Sequence, residues 1–357
     1  MRYVSINCLR PGQKLASDLR MNDKRIFIKR NVPLTERLIE RVKPLGFQGV
    51  YVEDDISKDL YVANVISEGL QMKARKEVRS LLIDADNQRN RRMSSHVRMI
   101  NGVVNGMVEE ILHNQNMMVN IVDIRTFDDY TFCHSLNVAV LSAVIGVVLK
   151  LNRKQLHNLA VGALVHDIGK MFVDKNILNK PGKLTPAEME EIRRHSRLGY
   201  DYIKENCEIP EDAMQAVLMH HERYDGNGYP QGLKKEEITL FGRIISVADV
   251  YDALVSNRPY RESFLPSEAM EYIMSGYESA FDPKVVSAFV RKVAPFPLGT
   301  CVQLSNGLQG IVVENYESFG SRPKVRVISS GGVSSEYVDL AHDSATLNVT
   351  VQRVLDI

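Results

Sequence analysis

Apolar residues recur in three successive rhythms along this chain. Between residues 2 and 52 they alternate with polar ones in short runs, Tyr3 to Ile6, Arg25 to Ile28 and Gly49 to Val52, broken by turn residues such as Pro11-Gly12 and by one helix-spaced stretch beginning near Thr35. Period-two alternation marks half-buried strands, so residues 1–54 are expected to form a small α+β accessory domain. From residue 55 to 119 the spacing turns helical, and Lys73, Arg75, Lys76, Arg79, Arg89, Arg91, Arg92 and Arg98 make the stretch locally basic, as in a solvated helical linker. Helical periodicity continues through 120–295, with Pro and Gly confined mostly to short connections, which predicts an all-helical domain. After Pro295 short strands return at Cys301 to Leu304, Gly310 to Val313 and Lys324 to Ile328, so 296–357 is expected to be a β-rich appendage. The fold class predicted is mainly α, with small β-containing segments at both ends.

Composition narrows the function classes. The 357 residues are 44% hydrophobic and 25% charged, an ordinary globular balance with room for two or three domains. A formal net charge of +1 gives no general attraction to nucleic acid or membranes, so no polymeric nucleic acid partner is expected and an anionic ligand must be held by a local cluster. Cys8, Cys133, Cys207 and Cys301 show no CxxC spacing, which suggests neither a cysteine-ligated zinc nor a disulfide framework and fits a reducing cytosol. The longest apolar stretch, Val138 to Leu149, is interrupted by Ser142 and Gly146 and falls well short of the roughly 20 residues of a membrane span. The start MRYVSINCLRPG has no apolar core behind a basic residue, so no secretory signal is visible and a cytoplasmic chain is expected.

Candidate chemistry is concentrated in the helical domain. His166-Asp167-Ile168-Gly169-Lys170 follows the apolar run Leu159 to Val165, and adjacent His and Asp side chains can reach one cation together, the carboxylate being able to bridge two. His134 shares a helix face with Val138, Leu141, Ile145 and Val148, which turns it inward. Taken alone it reads better as a core histidine bonded to backbone. Thr185-Pro186-Ala187-Glu188 is a capping box opening a helix that is expected to carry His195 on its third turn, where by itself it would read as a surface or capping residue. His220-His221-Glu222 precede the loop Asp225-Gly226-Asn227-Gly228-Tyr229-Pro230. Asp249 interrupts an apolar helix, and a buried carboxylate requires a cation or hydrogen-bonding partner; Asp252 shares its face. Five of the nine histidines fall into this set, with two embedded carboxylates, and metal explains such company best.

In these motifs and their order the sequence resembles the HD-GYP family, a branch of the HD superfamily of metal-dependent phosphohydrolases, over roughly residues 120 to 295. The resemblance implies two divalent ions, iron or manganese, one held by His134, His166, Asp167 and Asp249 and a second by Asp167, His195, His220 and His221. Some members place a glutamate one helical turn before the first histidine for a third ion. Tyr130 occupies that position here, which favours a dinuclear centre, Asp128 or Asp129 being the alternative groups that could reach inward for a third ion.

The same resemblance implies a phosphodiesterase that hydrolyses cyclic di-GMP to pGpG, GMP or both, by in-line attack of a metal-activated water on phosphorus. Asp167 would orient that nucleophile, and Lys170 would stabilise developing charge on the phosphate. Arg258 and Arg261, in Asn257-Arg258-Pro259-Tyr260-Arg261, suit bidentate contacts with phosphate oxygens, helix-end salt bridges being their alternative. The loop glycines, Gly228 among them, permit close backbone approach, and Tyr229 can stack on guanine or bond a phosphate. Glu222 has no assigned role. Two further readings stay open: hydrolysis of another cyclic dinucleotide, and a catalytically silent cyclic di-GMP sensor. The basic helical stretch is expected to offer a seam for a homodimer.

Overall fold

The computed structural model describes residues 1–20, 26–45, 49–57, 59–87, 93–119, 130–256, 263–329 and 332–355. The chain divides into two compact units, Met1–Asn64 with Met118–Tyr130 and Val293–Ile357, and Val65–Met117 with Thr131–Lys292.

In the first unit the N-terminal segment forms strands β1 (Arg2–Ser5), β2 (Lys14–Leu15), β3 (Leu19–Arg20) and β4 (Ile26–Ile28), helix α1 (Glu36–Val42) and strand β5 (Gly49–Glu53). Strand β5 lies between β1 and β2, antiparallel to both, with Tyr3 opposite Tyr51 and Leu15 opposite Val52. Val4, Val50 and Val52 turn to the buried side and cluster with Ile39 and Val42 of α1. Thr35 starts α1 as its side chain accepts the Leu38 N–H, satisfying one of the unpaired donors of a first helical turn.

The C-terminal segment adds β6 (Cys301–Leu304), β7 (Gln309–Glu314), β8 (Lys324–Ser329), β9 (Gly332–Asp339) and β10 (Val351–Val354), ordered β10-β6-β7-β8-β9 and antiparallel throughout. Val302, Leu304, Val312, Val325, Val327 and Leu340 form its core. Both ends of the chain thus build one unit. The buried Arg326 guanidinium joins them, donating to Asp59 at 2.6 Å and to the Ile56 carbonyl at 2.5 Å.

The second unit is helical: α2 (Glu68–Asp86), α3 (Met93–His113), α4 (Tyr130–Val148), α5 (Arg153–Val165), α6 (Lys175–Leu178), α7 (Pro186–Arg193), α8 (His195–Asn206), α9 (Glu211–Met219), α10 (Leu240–Val255), α11 (Pro266–Ser275) and α12 (Pro283–Lys292). Helices α2 and α3 pack together, burying Val78, Leu81 and Leu82 on the one and Ile100, Val104 and Met107 on the other, and α3 packs on α5. Lys73, Lys76, Arg79 and Arg98 stay on their exposed sides, while Arg89, Arg91 and Arg92 lie outside the described residues, as does Arg25. Helix α4 is buried nearly all round, so the apolar run from Val138 is core, and no helix among the described residues is long and apolar enough to cross a membrane.

One helix ends earlier than its spacing predicts. The Thr185 capping box is formed, with Thr185 N–H donating to the Glu188 carboxylate at 2.8 Å, but α7 stops at Arg193 and His195 opens a new helix. The interruption falls where the Ile192 carbonyl accepts a hydrogen bond from the His195 ring.

Candidate metal centre

Three of the central rings are aimed by the helix ends that carry them. His166 caps the C-terminus of α5, His195 follows the last turn of α7, and His220 caps α9. The final carbonyls of a helix have no donor within it, and these rings use them. Nδ1 of His166 donates to Ala163, Nδ1 of His195 to Ile192 and Nδ1 of His220 to Val217, each at 2.7 Å. A carbonyl can only accept, so the ring proton sits on Nδ1 and Nε2 is left with a bare lone pair. One backward bond, repeated on three helices, turns three Nε2 atoms to one place.

His134 is set by a different partner. On the buried face of α4, its Nδ1 lies 2.7 Å from Oδ2 of Asp252 and its Nε2 faces Oδ1 of Asp249 at 3.1 Å. The other oxygen of Asp252 accepts from Nδ2 of Asn137 at 2.7 Å.

Asp167 stands between the two sets of rings. Its Oδ2 is 3.4 Å from Nε2 of His166 and 3.6 Å from Nε2 of His134, while Oδ1 is 3.5 Å from Nε2 of His195 and 4.0 Å from Nε2 of His220. His221 presents Nε2 to Nε2 of His195 at 3.1 Å and Nδ1 to Oδ2 of Asp249 at 3.8 Å. Two donor groups result: Asp167 with His195, His220 and His221, and Asp167 with His134 and His166, beside which Asp249 Oδ1 lies 4.0 Å from Nε2 of His166. All seven candidate ligands therefore meet, and the Lys170 ammonium sits 2.5 Å from Oδ2 of Asp167.

The charges follow from the burial of these groups and from their partners. Burial alone would raise the carboxyl of Asp167, but the Lys170 ammonium and the His166 ring hold it well below the usual range. Burial likewise opposes ionisation of Asp249, yet its hydrogen bond to His134 keeps it an anion. Burial lowers His195 and His220, and takes His221 down to about 3. For His134 burial is outweighed by Asp249 and Asp252, which raise it to about 9.

These shifts fix a stability profile for the metal-free chain. Below the ordinary histidine value the unfolded chain takes up protons on His195, His220 and His221 that the folded chain refuses, so stability rises as pH climbs towards about 6.5. The contribution of His134 is fully present below that value and is lost as pH rises through about 9. Melting of chelator-treated protein should therefore peak near pH 6.5, with the steeper decline on the acid side; a melting temperature flat from pH 5 to 9 would contradict these assignments.

The donor set fits divalent metal ions. His195 and His220 both carry their protons on Nδ1, so two lone pairs face each other across 3.3 Å. Nε2 of His166 and Oδ1 of Asp167 are buried with no hydrogen-bonding partner among the described residues. Leaving such atoms unsatisfied is costly, and one class of occupant, a cation that accepts imidazole nitrogen and carboxylate oxygen, satisfies them together.

The loop after His221 closes one side. Tyr229 stacks on the His221 ring with centroids 4.7 Å apart, and its hydroxyl is pushed above its ordinary value by burial. Beyond it lies the Arg193 guanidinium, 5.3 Å from the Tyr229 centroid. Glu222 points away from the rings and holds the loop, accepting the Gln231 N–H at 2.7 Å and the Leu233 N–H at 3.1 Å. A side chain at Gly228 would place Cβ 2.3 Å from the Arg223 nitrogen, so the chain's own backbone occupies that space. Arg258 and Arg261 lie outside the described residues, as do Asp128 and Asp129.

Comparison with known proteins bears on this geometry. Residues 88–285, more than half of the chain, match the HD domain family. The chain belongs to that family. A cyclic di-GMP phosphodiesterase of Pseudomonas aeruginosa is 36% identical over 248 residues, which cover 68% of this chain and 60% of that protein. A 3'3'-cGAMP-specific phosphodiesterase of Vibrio cholerae is 42% identical over 166 residues, 46% of this chain and 37% of its own length. The chain thus spans about half the length of the curated relatives it matches. A solved structure, an HDG"Y"P protein from Bdellovibrio bacteriovorus, superposes with a TM-score of 0.53 over 80% of this chain and 97% of that one, at 17% identity, a likeness of fold alone. The expected HD-GYP relationship holds, and membership of the HD domain family implies divalent-metal binding, for which this His/Asp cluster supplies candidate ligands.

In this HD centre, sequence reasoning overlooked how Asp252 and Asn137 act. Both carried a signal: Asn137 lies three residues after His134 and Asp252 three after Asp249, the spacing that places polar groups side by side on a helix.

Proposed function

We propose that this chain is a metal-dependent phosphodiesterase that hydrolyses cyclic di-GMP, releasing pGpG, GMP or both. The observation that carries the reading is Asp167, whose two oxygens are divided between two sets of imidazoles. Two ions, iron or manganese, would be held by His134, His166, Asp167 and Asp249 on one side and by Asp167, His195, His220 and His221 on the other. When bound, such ions lower the pKa of water and neutralise charge on a phosphoryl group in transfer.

The chain's own groups do the rest. Lys170, a quarter exposed with its ammonium on Asp167, carries positive charge to the edge of the centre, where a phosphodiester oxygen would meet it. Tyr229, stacked on His221 with the Arg193 guanidinium over its ring, is assigned to the substrate, its hydroxyl to a phosphate oxygen. Arg258 and Arg261 are assigned to the phosphates, and Gly228 to the close packing that shapes the loop around the substrate. A full set of ligands together with Lys170 argues against a silent sensor. The free cysteines Cys8, Cys133, Cys207 and Cys301 accord with a reducing cytoplasm.

A second reading, hydrolysis of 3'3'-cGAMP, draws on the V. cholerae relative. Anaerobically purified protein loaded with Fe or Mn is given each cyclic dinucleotide in turn. Preferential release of pGpG or GMP from cyclic di-GMP supports the first reading, and preference for the mixed dinucleotide supports the second. Full metal occupancy with hydrolysis of neither overturns both.

A further inference from the structure

Four of the imidazoles are held through Nδ1, and one of the four is held differently from the rest. His166, His195 and His220 each lean on a carbonyl three residues back, a bond that comes with the helix end itself. His134 leans on Asp252, which lies 118 residues further along on another helix. On α4, Asn137 follows His134 by one turn; on α10, Asp252 follows Asp249 by one turn. The two pairs face each other. Asp249 meets Nε2 of the ring at 3.1 Å, Asp252 meets Nδ1 at 2.7 Å, and Asn137 holds the remaining oxygen of Asp252 at 2.7 Å. All four side chains are buried, Asp252 completely.

We propose that Asp252, braced by Asn137, is the positioning residue for one half of the centre. It fixes the His134 ring in the form protonated on Nδ1 and turns Nε2 towards the ion that His134, His166, Asp167 and Asp249 would hold, without touching that ion. The inference rests on the two-ion reading above. Its distinguishing feature is selectivity. His195 and His220 are set by their own helices and His221 by its place beside them, so removing Asp252 is felt by one half of the centre and spared by the other. A partner behind a ligating histidine fixes tautomer and ring orientation, and its loss weakens metal binding about 10–100-fold.

The test needs no substrate. Mn2+ is titrated into the chelator-stripped full chain, ions bound per chain are counted, and the paramagnetic resonance spectrum and melting temperature are recorded. Wild type is expected to take up two ions and to show the signature of a coupled pair. Asp252→Asn should fill one site with unchanged affinity, weaken the other about 10–100-fold, and show isolated Mn2+ at a loading that gives wild type its coupled signal. Asn137→Ala keeps the carboxylate but removes its brace, and should weaken the same site by a smaller factor. A purely structural role would lower both affinities together along with the melting temperature, and that result, or no change in either site, overturns the assignment. Should Asp252→Asn fail to fold, Asn137→Ala decides by the same criterion. A wild-type chain that binds one ion or none overturns the two-ion reading itself, and the half-site assignment falls with it.

Discussion

Asp167→Ala is expected to lower hydrolysis of cyclic di-GMP by at least about 10^3-fold and to empty both halves of the centre. Asp167 is common to both donor groups. Oδ2 lies within 3.6 Å of Nε2 on both His134 and His166, and Oδ1 lies 3.5 Å from Nε2 of His195. Removing the carboxylate takes a shared negative ligand from both donor groups at once and leaves bare imidazole nitrogens with less charge to offset a dication. Lys170 loses its acceptor as well, but its side chain is a quarter exposed and can turn to water, so the cost falls on metal binding more than on folding. Asp167→Asn, which keeps the shape and removes the charge, should act in the same direction. Metal content and product release are measured on the same preparation. A variant that keeps both ions and loses turnover would make Asp167 an orienting group for the nucleophile, with the ions held by the remaining donors. A variant that retains turnover would remove Asp167 from the site altogether.

The parts of this molecule that could be read along the chain are those whose signal is local. Helices α4 and α10 bury long apolar faces, and His134 and Asp249 stand out because a polar group on such a face needs a partner. The capping box at Thr185 is a four-residue pattern, and it forms as expected. Strands β6, β7 and β8 were visible as short apolar-containing runs separated by Ser-Asn-Gly and Gly-Ser turns, whereas β2 and β3 are two residues each and β9 carries Ser334-Ser335-Glu336 in its middle, so neither composition nor period marks them. The three backward bonds to Ala163, Ile192 and Val217 depend on where each helix ends, and the break after Arg193 has no residue that announces it. Asp252 could be placed beside Asp249 but not opposite His134, because that pairing is set by how α10 packs on α4. Glu222 was left without a role since its partners, the Gln231 and Leu233 amides, are backbone groups of a loop whose course no side-chain pattern encodes. The joining of the two chain ends through Arg326 and Asp59 is non-local in the same sense.

Gly169→Ala and Gly102→Ala are one chemical change with opposite expected signs. A Cβ on Gly169 would lie 1.8 Å from the His195 carbonyl oxygen and 2.6 Å from the Gly199 nitrogen, both backbone atoms of α8. Neither can rotate away, so α8 and the turn Ile168–Phe172 must separate. Gly199 answers from the other side: a Cβ there would sit 3.1 Å from the Gly169 nitrogen, a contact tight enough that the turn would have to give by a few tenths of an ångström. That approach matters to the metal centre because Asp167 and Lys170 ride on the turn and His195 is the first residue of α8. Overpacking against backbone is expected to cost about 3 kcal/mol or more and to weaken binding in the His195 half of the centre. On Gly102, in the middle of α3, an added Cβ meets nothing within 4 Å, and alanine should stabilise the helix by up to about 1 kcal/mol. Thermal melting of the two variants, with Mn2+ titration of the first, separates the effects. If Gly169→Ala melts with the wild type and binds both ions normally, the glycine of the His-Asp-Ile-Gly-Lys motif is dispensable for packing, and its place in the motif would have to come from contact with substrate.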